Sequence, residues 1–178
     1  MSRYVKWAKK EHPEGKRIAA TLLAGLVVVI LVPYIAIKAG PALDQVLGIP
    51  SFRIGMVNYL LGGVLLVAGL SLGLWSVYAQ LTRGRGTPLP MLPTQELLIT
   101  GPFQYCRNPM TLGTILAYTG IGVMAGSVMG LVLMACFIGL LLLYLKRMEE
   151  KELAERFGEA YLAYKREVPF IIPRRPRR

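Results

Sequence analysis

The chain has 178 residues, of which 54% are hydrophobic, and carries a formal net charge of +11. So apolar a composition excludes an ordinary soluble domain. The basic residues lie in blocks between and beyond the apolar runs, as juxtamembrane anchors do, and this excludes a nucleic-acid binder. A single histidine, His12, and two cysteines, Cys106 and Cys136, rule out a His-based triad, a zinc site and a disulfide framework.

Residues 1 to 17 form a basic tail, with six Lys or Arg against Glu11 and Glu14. They do not read as a signal peptide: the following apolar run is long enough to span, and no small-x-small cleavage site follows a short core. The first predicted span runs from Ile18 to Ile37, with Pro33 expected to kink it. "KAGPALDQVLGIPSFR" then reads as a short loop. The second span is predicted over Ile54 to Leu81, and its Gly55, Gly62, Gly63, Gly69 and Gly73 suit close helix packing in lipid. A long Gly- and Pro-rich loop, Thr82 to Asn108, follows. It holds Leu97, Leu98, Ile99, Phe103 and Tyr105 and is expected to be ordered.

Residues 109 to 145 are almost uncharged. As helix they would extend roughly 55 Å, near twice a bilayer core, so they are predicted to be two spans with a tight turn at Ala125 to Ser127. Beyond them, Leu153, Phe157, Tyr161 and Tyr164 recur at three- or four-residue spacing, which predicts an amphipathic helix at the membrane interface. Val168-Pro169 ends it, and Pro173 and Pro176 keep the basic tail extended. The expected fold is all-α and polytopic, with about four transmembrane helices. Residues 1–81 form the tail and first two spans, and 82–178 form a catalytic region. Four spans put the N-terminal tail, the long loop and the C-terminal tail on one side, with six, three and ten Lys/Arg; the other side has only Lys38 and Arg53. The positive-inside rule then makes both termini and the long loop cytoplasmic, with anionic lipid headgroups at the basic tails.

Folding residues 109–145 back on themselves would bring Arg107 and Asn108, just before the third span, close to Glu149 and Glu150, just after the fourth. Pro109 suits a first helical turn and Asn108 an N-cap. A helix N-terminus with an arginine beside it can hold an anion. The glutamates, with Arg147 nearby, can orient an acceptor or take a proton. Each feature also has a plain reading: Asn108-Pro109 as a simple helix start, Glu149/Glu150 as a solvated face, Arg107 as a snorkelling anchor.

Together these residues carry a resemblance. "GPFQYCRNPMTLG", followed by "EEKELAERFGEAYLAYKREVPFIIP", resembles the isoprenylcysteine carboxyl methyltransferase and phospholipid methyltransferase superfamily. It extends over about residues 84 to 173. The resemblance implies an integral-membrane enzyme using S-adenosylmethionine, with a membrane lipid or lipid-linked molecule as acceptor and no nucleic-acid partner. It implies cofactor contacts from Gln95, Glu96, Leu97, Leu98, Phe103, Asn108, Pro109, Met110 and Thr111, with Gly113 beside them. Glu149 and Glu150 match the paired acids linked to cofactor or acceptor, and Arg107 the motif's arginine. Asn108 stands where the family often has His, and Thr111 where it usually has Tyr. An amide cannot take a proton near neutral pH, and Thr111 lacks a phenol.

Three other readings compete. Some sterol reductases share a similar C-terminal pattern, and a reductase would bind NADPH. A membrane scaffold would bind no cofactor. A transporter is disfavoured, because no span carries an ionisable residue at its middle.

Overall fold

The computed structural model describes residues 14–84 and 94–175, and these are helical, without strands. The N-terminal basic tail to residue 13, the stretch 85–93 and the last three residues lie outside the described residues. The elements are α1 (Glu14–Gly25), a π-helical segment (Leu26–Leu31), α2 (Val32–Leu47), α3 (Met56–Thr82), a 3-10 turn (Gly101–Gln104), α4 (Pro109–Ala125), α5 (Val128–Tyr144), a second π-helical segment (Leu145–Glu149), α6 (Glu150–Phe157) and α7 (Glu159–Glu167). Three helical stretches among the described residues are long and apolar enough to cross a membrane: Leu26–Leu47, Met56–Thr82 and Val128–Phe157. The fourth, α4, has 17 residues, at the lower limit of about 17 for a span. Leu60, Leu61, Val64, Val67 and Leu140 are among many large apolar side chains left exposed on these helices, as lipid contact requires. The protein is an all-α polytopic membrane protein.

The chain forms two compact units. One comprises residues 25–71 and 113–142. Its buried centre is Ala36, Tyr118 and Met134, with Val32, Ile121 and Phe137 packed around them. The expected loop after Ile37 starts ten residues later: α2 continues through Pro41 to Leu47, and only residues 48–55 are non-helical. The reason lies in Asp44, which is buried. Its carboxylate accepts hydrogen bonds from Ser127 Oγ (2.6 Å) and Met129 N (2.9 Å), so it caps the start of α5, where a negative charge is favoured. Asp44→Ala removes both acceptors and strands a helix-end N–H. We expect a loss of about 1–3 kcal/mol, read as a lower midpoint of thermal unfolding in detergent; an unchanged midpoint would contradict this role.

Pro33 sits in the first turn of α2, directly after the π segment Leu26–Leu31. A wider turn there accommodates the missing donor, and Tyr118 Oη donates to the Val28 carbonyl within that segment at 2.6 Å. The turn expected at Ala125–Ser127 is present: α4 ends at Ala125, and Gly126 adopts φ +61°. Of the glycines expected to pack, Gly62 lies against Gly120 and Gly69 against Ala117, so closely that a Cβ on either would clash with backbone. Gly63 and Gly73 meet nothing, and Gly55 precedes the helix.

The other unit comprises, among the described residues, 14–24, 72–84, 94–112 and 143–175. The amphipathic segment is two helices rather than one, broken at Gly158 with φ +55°. Its apolar stripe is turned inward: Tyr161 and Tyr164 are buried.

Candidate active site

Residues of this second unit enclose a cleft with about 500 Å³ of empty space, part of it open to solvent. Gln80 comes from the end of α3, and Thr94, Leu97, Leu98, Phe103, Arg107 and Asn108 from the segment before α4. Leu145, Glu149 and Glu150 come from the second π segment and its junction with α6, Leu153 from α6, and Tyr161 and Tyr164 from α7. The π segment explains how two successive glutamates both reach the cavity. Neighbours on an α-helix diverge by about 100°, and the wider π turn narrows that angle.

The segment before α4 is held from the C-terminal side. Val168 is extended (φ −107°, ψ 126°), as the residue before a proline must be. The chain then lies along residues 105–108. Arg107 N donates to the Pro169 carbonyl (2.9 Å) and Arg174 N to that of Tyr105 (2.9 Å). Asn108 Nδ2 donates to the Phe170 carbonyl (3.0 Å), and Tyr164 Oη to that of Phe103 (2.7 Å). On the other flank Arg156 pairs with Glu152 at 3.1 Å and donates to the Thr94 carbonyl.

Arg107 and Glu150 form the charged end. Arg107 Nη1 stands 2.8 Å from Glu150 Oε1, and Lys165 Nζ 2.7 Å from Glu150 Oε2. The Arg107 guanidinium also lies 5.7 Å from the centre of the Phe170 ring, and its Nη1 is 3.5 Å from Tyr161 Oη. The ion pair is close but not aligned as a hydrogen bond. Glu150 Oε1 and Arg107 Nε are buried with no hydrogen-bond partner among the described residues, and so is Gln80 Oε1. All three belong to residues lining the cleft. Glu149, beside Glu150, has neither an ion pair nor a hydrogen bond among the described residues. Burial, then the Glu150 charge, pushes the Tyr161 phenol up to about 12, so it remains a donor at neutral pH. Burial raises the Tyr164 phenol too. It also raises the Cys106 thiol, although the Asn108 backbone hydrogen bond works the other way; Cys106 is buried and poorly nucleophilic.

The structure therefore places Leu97, Leu98, Phe103, Arg107, Asn108, Glu149 and Glu150 around one cleft. Gln95, Glu96, Pro109, Met110, Thr111, Gly113 and Arg147 do not line it. Pro109 and Thr111 are buried in the first turn of α4, the Gln95 N–H is spent on the Gly84 carbonyl at 2.7 Å, and Arg147 is exposed. Sequence reading gave no site role to Gln80, Thr94, Leu145, Leu153, Tyr161 or Tyr164. The apolar stripe signalled Leu153, Tyr161 and Tyr164 as a buried face, without indicating what that face encloses.

No curated protein matches this sequence. The sequence profile of the family described as phospholipid methyltransferase matches residues 57–160, a stretch that takes in most of the cleft's lining. Over half of the chain is matched, and the chain belongs to the phospholipid methyltransferase family, a family of membrane methyltransferases acting on lipid-type substrates.

Proposed function

We propose that the protein transfers a methyl group from S-adenosylmethionine to the amino headgroup of a membrane phospholipid or a closely similar lipid-linked amine. The observation that supports this most is the division of labour between two adjacent acids. Glu150 is committed to two cations, Arg107 and Lys165. Glu149 lines the same cleft with no cationic partner among the described residues. An unpaired carboxylate suits a cationic or proton-donating acceptor better than an anionic one.

The lining fits the cofactor. Its amino-acid end is a zwitterion, and Arg107 Nε offers a buried donor with no hydrogen-bond partner. Leu97, Leu98, Phe103, Leu145 and Leu153 provide apolar walls for the rest. Bound there, S-adenosylmethionine supplies an electrophilic methyl group on a sulfonium. The protein's own contribution is placement and proton handling. Arg107, Asn108 and Glu150, braced by Lys165 and the Pro169 and Phe170 carbonyls, hold one end of the site rigid. Phe103 and the leucines exclude water. Glu149 orients the headgroup ammonium and takes its proton on a carboxylate oxygen, freeing the nitrogen lone pair. Arg147, exposed at the same end of the last span, suits contact with anionic headgroups. The excess of Lys and Arg in the segments around the site supports a cytoplasmic placement.

The experiment is calorimetric titration of the detergent-solubilised protein with S-adenosylhomocysteine, followed by transfer of radiolabelled methyl groups to vesicles containing phosphatidylethanolamine. We expect saturable binding and label in the lipid extract. NADPH binding in place of S-adenosylhomocysteine would favour a reductase, and binding of neither a scaffold.

A further inference from the structure

The cleft has two ends of different chemistry. At the charged end stand Arg107, Glu149, Glu150 and Tyr161. The other end is neutral and gathers at Gly84, where a Cβ would come within about 3 Å of the Gln80 carbonyl, the Thr94 methyl and Leu98 Cδ1. Gly84 is therefore a close-approach position. It lets the last turn of α3 lie directly against the segment that begins at Thr94, and the Gly84 carbonyl accepts the Gln95 N–H at 2.7 Å. Gln80, whose backbone carbonyl stands at this end, also lines the cleft. Its Oε1 is buried with no hydrogen-bond partner, and no hydrogen bond holds its Nε2 among the described residues.

A buried carboxamide oxygen left without a hydrogen-bond partner costs stability. That cost is recovered if a ligand donates to it. Adenine presents an adjacent N6 amino donor and N7 acceptor, the pair that a Gln carboxamide meets with two parallel hydrogen bonds; with a carbonyl in place of the amino group that edge has two acceptors and keeps only one bond. The flanking Leu97 and Leu98 offer the apolar contact that a flat base needs.

We propose that Gln80 is the residue that selects the base of the cofactor, its carboxamide pairing with the amino edge of adenine. This rests on the S-adenosylmethionine reading above and assigns a specificity-determining role to a residue outside the motif that carries the family resemblance. The two ends then divide the ligand, with the charged end taking the amino-acid moiety and the Gln80 end the purine.

The test compares binding of S-adenosylhomocysteine with S-inosylhomocysteine, in which a carbonyl oxygen replaces the amino group. The full-length protein in detergent is titrated calorimetrically. Wild type is expected to favour the adenosyl compound on the order of ten-fold or more. Gln80→Leu should weaken adenosyl binding by a similar factor, leave inosyl binding nearly unchanged and bring the ratio close to one. Gln80→Met repeats the comparison with an unbranched side chain, should Leu disturb packing. Equal wild-type affinities would overturn the proposal without any variant. So would a wild-type ratio kept in Gln80→Leu or Gln80→Met, and in both cases the methyltransferase reading would stand. Failure of wild type to bind either compound would overturn that reading and this proposal together.

Discussion

Glu149→Gln is expected to lower methyl transfer to phosphatidylethanolamine by 10²- to 10⁴-fold, the usual contribution of a positioned general base, while S-adenosylhomocysteine still binds. The substitution keeps the side chain's shape and one acceptor oxygen but removes its ability to take a proton. It breaks no ion pair, because Glu149 has none among the described residues. The fold should therefore survive, with an unfolding midpoint within a few degrees of wild type. This separation of turnover from stability and cofactor binding is what distinguishes a reacting group from a structural one. Turnover within about three-fold of wild type would remove Glu149 from the mechanism. Loss of S-adenosylhomocysteine binding would move it from the acceptor to the cofactor.

Glu150→Gln should behave in the opposite way, with stability as the first casualty. Its carboxylate is about one-tenth exposed and is shared by Arg107 at 2.8 Å and Lys165 at 2.7 Å. Lys165 is the more exposed cation and can turn to water, whereas the Arg107 side chain is also only about one-tenth exposed. Neutralising Glu150 leaves that guanidinium buried beside an amide. Breaking a buried pair by removing one partner costs on the order of 3–5 kcal/mol. Arg107→Met alone should cost a comparable amount, since it strands the carboxylate, although Lys165 offsets part of it. The double variant Arg107→Met with Glu150→Gln removes both charges and should recover much of the loss, the non-additivity expected of residues in contact. It should nevertheless stay inactive, because the charged end of the cleft is gone. Thermal or denaturant unfolding of the four proteins in one detergent closes this cycle. Additive losses would show that the two side chains do not stabilise each other.

The contrast between these neighbours was invisible in "KRMEEKE". Two adjacent glutamates read alike along a chain, and only the position of Arg107 and Lys165 separates one that is spent from one that is free. The same holds for the C-terminal stretch. Val168-Pro169 announced the end of a helix, and local backbone preference is enough to say so. That the extended chain beyond it pairs with Tyr105 and Arg107 through Arg174 and Pro169 depends on carbonyls more than sixty positions away.

The features legible from the residues alone were those set by local composition and backbone preference. The helical class and the long apolar stretches follow from runs of apolar residues too long for anything but lipid. The turn at Ala125–Ser127 follows from a run nearly twice a bilayer's depth that contains a glycine able to adopt positive φ. The meeting of Arg107 and Asn108 with Glu149 and Glu150 could be foreseen from that turn. Other features required the packed molecule. Residues 38–47 read as a loop because they hold Gly, Pro and Asp, yet they are helical, since Asp44 is satisfied by Ser127, 83 positions later in the chain. Gln80 carries no signal of its own in the sequence, and its backbone carbonyl, Thr94 and Leu98 converge on Gly84 only in the folded molecule. Burial and hydrogen bonding between segments distant in sequence leave no periodic trace in either one, and that is where the cleft's neutral end was hidden.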